Sequence, residues 1–325
     1  MYSVDINYDE LFYTSTLFEE YFAGVSVGVF DIETTGLDPI RNKFVLGGLL
    51  TPLQEGVRIR QFFSEGGHEE AETLELYREA LAECDVLVSY NGNSFDIPFL
   101  KGRLAKHHRG ALHEFTSLDL YRVISKHSDI RNHLPNLKQK TVENFLGFWS
   151  SRMDEISGAD SVYLYHEYVA TKKGELREYI LLHNRDDVRQ LARILKVLDK
   201  LDLHSILSDT GFPVMCKDMN LQIKGIRLSK SKLEVSGRHD WVDYECKYYN
   251  DDISADISPD GDFRLSMLCI NESKSIYTDI GGRSVPGQIG RYLVLKEEER
   301  INHAAINRLI KNILLDIIDS EVRLG

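Results

Sequence analysis

Along the first two hundred residues, apolar positions fall either in short continuous runs or in stripes that return every three or four residues. Residues 25–31 (VSVGVFD) are a Val-rich run ending on a carboxylate, which predicts a buried strand. Residues 43–50 (KFVLGGLL) and 57–63 (VRIRQFF) predict two more strands, and the turn residues of the intervening TPLQEG make a hairpin of them. Leu74, Tyr77 and Leu81 mark a helix over 69–83, DVLVSY (85–90) a short buried strand, and FDIPFLKGRLAKH (95–107) a helix. From 119 to 200 the pattern is mostly helical, at 119–127, 137–146, 161–171 and 175–199. The last of these presents Tyr179, Leu182, Val188, Leu191, Ile194, Leu195 and Leu198 on one face.

After about residue 205 the texture changes to short alternating runs, LQIKGIRL, KLEVSG, WVDYECKYY, DFRLSMLCI and RYLVL, separated by Asp, Gly, Ser and Asn. These predict antiparallel strands. A closing helix over about 297–321 carries Ile301, Ala305, Leu309, Ile313, Ile317 and Ile318. The expected domains are residues 1–204, an α/β unit, and 205–325, a β-rich accessory unit with a terminal helix, the boundary lying near SDTGFP.

Composition narrows this little. With 325 residues, 42% apolar and 28% charged, the chain is long enough for two ordinary domains and too well mixed for a disordered or collagen-like protein. No run of about 18 apolar residues is present, and MYSVDINYDE lacks the basic-then-apolar start of a signal peptide. Cys84, Cys216, Cys246 and Cys269 are far apart, with neither metal spacing nor a disulfide framework. A soluble protein of a reducing cytoplasm is expected.

Charge adds a contrast. The net charge of −12 argues against a protein that coats nucleic acid by charge alone. Residues 101–140, however, hold nine Lys and Arg against Glu114, Asp119 and Asp129, together with five histidines. Either a solvated helical face or an anionic ligand accounts for that strip.

Three short segments carry the chemistry. In FDIETTGL (30–37), Asp31 and Glu33 stand two apart on a strand and so share a face. Two carboxylates at the end of a buried strand repel unless a cation lies between them. In SYNGNSFDIPFL (89–100) a strand runs through an Asn/Gly/Ser loop into a helix holding Asp96; Ser94 is the expected N-cap and Pro98 suits the first turn. In HNRDDV (183–188), His183 and Asp187 are four apart on a helix and project from one face. Asp186 points about 100° away around the helix and is expected to face solvent.

Taken in order, Asp-x-Glu, Tyr-Asn-x-x-x-Phe-Asp-x-Pro-Phe-Leu and His-Asn-x-x-Asp-Val resemble the three motifs of the DEDD superfamily of 3′→5′ exonucleases. The second motif is similar to that of the proofreading domain of family B DNA polymerases. The third has the same spacing, with histidine where those domains carry tyrosine. The chain resembles the stand-alone YprB-type predicted exonucleases more closely, which share the stretch LPNLKQKTVENFLGF (134–148). The resemblance covers about residues 25–200 and implies an RNase-H-like mixed sheet flanked by helices. It implies two divalent cations, Mg²⁺ or Mn²⁺, with Asp31, Glu33 and Asp187 holding the first. Asp31 would bridge to the second, and Asp96 would hold that ion directly or through water. His183 would orient the attacking water and take its proton, its ordinary pKa of about 6.5 suiting a base at neutral pH.

The candidate substrate contacts are Thr34, Thr35, Asn91, Phe95 and Lys138. Each has a plainer reading beside the functional one: the threonines make the turn, Phe95 and Tyr90 belong to the core, and Lys138 is a solvated helix-start lysine. Asp119 either caps the helix at 119–127 or stands near the second ion. The expected activity is hydrolysis of single-stranded DNA or RNA from a free 3′ end. An endonuclease of the same fold and a non-catalytic nucleic-acid-binding module are the rivals. The accessory domain, with sixteen basic and nineteen acidic residues, is expected to bind substrate or a partner protein rather than nucleic acid by charge.

Overall fold

The structure is a computed structural model and describes residues 1–148, 152–153, 156–216, 219–241, 243–283, 285 and 290–322. The chain forms two compact units, Met1–Glu19 with Val25–Leu201, and Glu20–Gly24 with Asp202–Gly325. Helix α1 (Thr16–Phe22) spans the division.

The first unit is built on a six-stranded mixed sheet. Its strands are β1 (Tyr2–Tyr8), β2 (Val27–Thr34), β3 (Phe44–Pro52), β4 (Val57–Phe63), β5 (Val86–Ser89) and β6 (Thr116–Asp119), in the order β1-β4-β3-β2-β5-β6. The β3–β4 hairpin forms as predicted, and β2 pairs antiparallel to β3 and parallel to β5. β2 is central and enclosed by neighbours on both faces, which is why its sequence reads as a continuous apolar run. Its Phe30 and Ile32 pack in a cluster with residues of α2 (Glu70–Leu81) and α3 (Asp96–Lys106). The side chains between them, Asp31 and Glu33, therefore point to the opposite face.

Four more helices complete this unit: α4 (Leu120–His127), α5 (Gln139–Phe145), α6 (Gly158–Thr171) and α7 (Gly174–Ile194), the last continued by a 3₁₀ turn over Leu195–Lys200. α6 and α7 cover the face to which Asp31 and Glu33 point, burying Tyr165, Tyr168, Ile180 and Leu181 against Val45, Leu46 and Phe63. α7 and the turn after it bury Val188, Leu191, Ile194, Leu195 and Leu198 of the predicted apolar face, Tyr179 at the start being 55% exposed, and His183, Asn184, Asp186 and Gln190 join the buried face. Polar groups can occupy that face because sheet residues satisfy them, as with Gln61, whose Nε2 donates to Leu181 O and to Asn184 Oδ1.

In the second unit, α8 (Leu203–Thr210) leads into β7 (Pro213–Cys216), β8 (Met219–Leu228), β9 (Lys232–His239), β10 (Cys246–Tyr249), β11 (Ile253–Ile257) and β12 (Asp262–Leu268). These form one antiparallel sheet of order β10-β11-β12-β9-β8-β7. A second sheet joins β13 (Ile270–Glu272), β14 (Ser275–Asp279), β15 (Tyr292–Glu297) and β16 (Arg300–Ile301) in chain order. Helix α9 (His303–Val322) ends the unit with Leu309, Ile310, Ile313 and Ile318 fully buried. It starts later than its pattern suggests because residues around Ile301 pair in β16, where Ile301 is 39% exposed. The strands β1, β6, β7, β11, β14 and β16 have no counterpart in the sequence reading; most are too short for a period to show. Among the described residues no helix is long and apolar enough to cross a membrane, and all four cysteines are free.

Candidate active site

The site grows from the end of β2. Where the strand stops, Thr34 Oγ1 donates to Gly36 O at 2.8 Å, and Thr35 exchanges two bonds with Lys43, its amide donating to the carbonyl at 2.9 Å and its Oγ1 accepting the amide at 2.8 Å. The loop beyond is tied down by Arg103, which donates to Pro39 O at 2.8 Å while forking onto Glu70, a pair only 2% and 1% exposed. Asp31 and Glu33 are thus delivered by a rigid strand end.

α7 brings the third motif onto this point. His183 Nε2 lies 3.7 Å from Glu33 Oε1 and 3.5 Å from Asp187 Oδ2. One ligand atom from each of Glu33, His183 and Asp187 falls within 4.8 Å of the others. The axial offset of about 6 Å between residues four apart does not separate the tips of His183 and Asp187. Asn184, fully buried, donates from Nδ2 to Asp31 Oδ2 at 3.0 Å.

Asp96 arrives from the opposite side at the start of α3 and is 5% exposed. The amides of Asp96 itself and of Ile32 lie close enough to its carboxylate to pull its pKa down, which places it beside β2 between the two motif acids. Ser94 makes no cap: Phe95 holds the N-cap position without a side-chain bond. The loop before it turns on Asn91, in the left-handed region at φ 64°. Asn91 and Asn93 donate their amides to Asp119 at 2.8 and 3.2 Å, and Asp119 also caps α4 through Tyr121 and Arg122. Capping is therefore its contact, and its buried charge lies close enough to raise the pKa of Asp96.

Electrostatics show what this crowding does. Burial, followed by repulsion from Asp187, Asp96 and Glu33, lifts Asp31 well above the ordinary carboxylate range, and the Asn184 hydrogen bond offsets part of it. Burial raises Glu33 to about 7, against the pull of His183, with Asp187 adding to the rise and a Ser161 hydrogen bond opposing it. Burial likewise raises Asp96 to about 7. Carboxylates this reluctant to ionise together, converging with one imidazole, fit a hard divalent cation, which takes oxygen ligands and removes the repulsion.

A cavity of about 610 Å³ opens over the site. Asp31, Glu33, His183 and Asp187 line it, as do Thr34, Phe95 and Lys138 from the expected substrate contacts. Asp96, Thr35 and Asn91 are not among its lining residues. Phe95 is half-buried and packs on Phe99 at 5.6 Å between ring centroids. Lys138 is exposed at the N-cap of α5. Tyr90 donates its hydroxyl to Leu137 O at 2.7 Å.

Several site contacts carry no signal in the sequence. Asn184 stands within the third motif, but nothing in its spacing points to Asp31, and Gln61 is an ordinary polar residue until the fold buries it against Asn184. Arg152, held by Glu143, reaches Asp187 from outside the three motifs. Asp186 reverses its expectation: it is fully buried, accepting the Met153 amide at 2.5 Å with Arg189 at 3.6 Å. Helix angle alone does not reveal that a neighbouring segment covers that side of α7.

Gly48, paired with Asp31 across β2 and β3, shows how tight the support is. A Cβ there would sit 2.2 Å from Asn184 Oδ1. Gly48→Ala is expected to destabilise the protein by about 1–3 kcal/mol, the usual range for overpacking, in a denaturant titration. Adding Asn184→Ala should recover part of that loss; no recovery would mean the strain lies elsewhere.

Comparison with known proteins gives a family for the chain. No curated protein matches the chain. Among solved structures, a family B DNA polymerase from the hyperthermophilic archaeon Pyrobaculum calidifontis is similar at 21% identity and a TM-score of 0.45, over 57% of this chain and 25% of that one. The chain thus spans about a quarter of that polymerase. The model of the RNase_H superfamily matches residues 29–199, more than half of the chain and the stretch holding Asp31, Glu33, Asp96, His183 and Asp187, and the chain belongs to that superfamily.

Proposed function

We propose that this protein is a metal-dependent 3′→5′ exonuclease of DEDD type that hydrolyses single-stranded DNA or RNA. The observation that carries the reading is the convergence of Asp31, Glu33, Asp96, His183 and Asp187, drawn from β2, α3 and α7, on one end of β2 beneath an open cavity. The 134–148 stretch and the histidine of the third motif favour the YprB-type group within that class.

When bound, two Mg²⁺ or Mn²⁺ ions would neutralise charge on the phosphorane and on the leaving oxygen. Asp31, Glu33 and Asp187 would hold one of them, and Asp31 with Asp96 the other. His183 Nε2, 4% exposed and beside Glu33 and Asp187, would orient the attacking water and accept its proton. At the cavity rim Phe95 offers a ring face to a terminal base and Lys138 a charge to a backbone phosphate. Thr34 and Thr35, with their hydroxyls engaged in the turn, serve by shaping the rim, and Asn91 by shaping the loop that delivers Asp96.

The test is incubation with Mn²⁺ and 5′-end-labelled single-stranded DNA and RNA of equal sequence. Nucleoside 5′-monophosphates and stepwise shortening from the 3′ end are expected. Cutting of a circular single strand would instead make the protein an endonuclease, and binding without hydrolysis a non-catalytic module.

A further inference from the structure

Motif chemistry leaves the 134–148 stretch without a task at the site, yet α5 reaches Asp187 directly through Gln139 and, by way of Arg152, through Glu143. Gln139 Nε2 donates to the Asp187 carbonyl at 3.0 Å. Glu143, 1% exposed, holds the Arg152 guanidinium with both oxygens, at 2.6 Å from Nε and 2.7 Å from Nη2. The same Nη2 donates to Asp187 Oδ1 at 2.5 Å. Asp187 Oδ2 is left on the side of His183 and Glu33.

Resting on the exonuclease reading, we propose that Arg152, oriented by Glu143, is a positioning residue that occupies Asp187 Oδ1 so that Asp187 presents Oδ2 alone to the divalent ion. An aspartate carboxylate turns easily about its terminal torsion. A forked guanidinium stops that rotation, because its planar donors match two carboxylates at fixed angles. Arg152 is 8% exposed, and its Nε and Nη2 are taken up by Glu143 and Asp187. Lysine would preserve the charge but not the fork.

The experiment compares Arg152→Gln, Arg152→Lys, Glu143→Gln and the paired replacement Arg152→Met with Glu143→Leu. The paired variant removes both members of the buried Arg152–Glu143 pair, so neither is left as a lone charge, which protects the fold if a single change does not. Calorimetric Mn²⁺ titration without nucleic acid is read beside kcat and KM on the oligonucleotide that the wild type degrades. Supporting groups around a metal site are worth about 10–100-fold, so all four variants are expected to bind Mn²⁺ about that much more weakly. Their kcat should fall similarly while KM stays within about twofold. Wild-type Mn²⁺ affinity in Arg152→Lys would overturn the proposal, since charge alone would then suffice. A KM raised about tenfold with Mn²⁺ affinity unchanged would overturn it in favour of a phosphate contact. If the wild type degrades no nucleic acid, the exonuclease reading falls, and the Mn²⁺ titrations still decide the role of Arg152.

Discussion

Asp31→Ala and Asp187→Ala are each expected to lower hydrolysis by on the order of 10³-fold or more, equivalent to about 4 kcal/mol in the barrier, and EDTA to abolish it in the wild type. Both acids sit where the fold concentrates negative charge: Asp187 contributes to the raised pKa of Asp31 and of Glu33, and Asp31 is itself raised by all three of its acidic neighbours. A pH signature accompanies this and can be read without turnover. Glu33 and Asp96 are pushed up to about 7, so in the ion-free protein their ionisation opposes folding. The penalty is absent below the ordinary carboxylate pKa and complete above about 7. The melting temperature in EDTA should therefore fall as pH rises through that window, relative to Asp31→Ala, and Mn²⁺ should restore it most above pH 7. Binding of Mn²⁺ at neutral pH should release protons, measurable by calorimetry in buffers of different ionisation enthalpy. Unchanged hydrolysis by Asp31→Ala, or Mn²⁺ affinity independent of pH from 6 to 8, would remove the two-ion site.

His183→Ala is expected to slow turnover by roughly 10²–10⁴-fold, the usual worth of a general base, with Mn²⁺ affinity little changed. The residue is buried at 4% exposure, with Nε2 at 3.7 Å from Glu33 and 3.5 Å from Asp187. Those distances admit a second role, since the same three residues could share one ion. Two measurements separate the roles. Loss of Mn²⁺ binding in His183→Ala would make the imidazole a ligand; a rate at pH 7.5 equal to wild type would leave it a mere packing residue. His183→Tyr should retain partial activity and lose any rate dependence on a group titrating near neutrality.

How the site came to be legible follows from distance along the chain. Asp31 with Glu33, and His183 with Asp187, are separated by the two spacings that strand and helix geometry turn into a shared face, so local sequence announces them. Asp96 was visible through its strand–loop–helix setting, although the cap assigned to Ser94 was not formed. Partners without such a spacing stayed hidden. Asn184 meets Asp31 across 153 positions and Arg152 meets Asp187 across 35. Asp186 likewise reads as a surface acid until Met153 and Arg189 are placed against it.

The sequence by itself determined the central strands, the long helices and the β-rich character of residues after 205, because each is a matter of local period. Only the tertiary structure decided which polar residues α7 buries beside its apolar ones, which carboxylates lose their ease of ionisation and which neutral or cationic side chains hold them in place. These depend on what lies across a gap of a few ångströms. A periodic pattern records that a face is covered, but the identity of the group that covers it is set by the packing of strands and helices far apart in the chain.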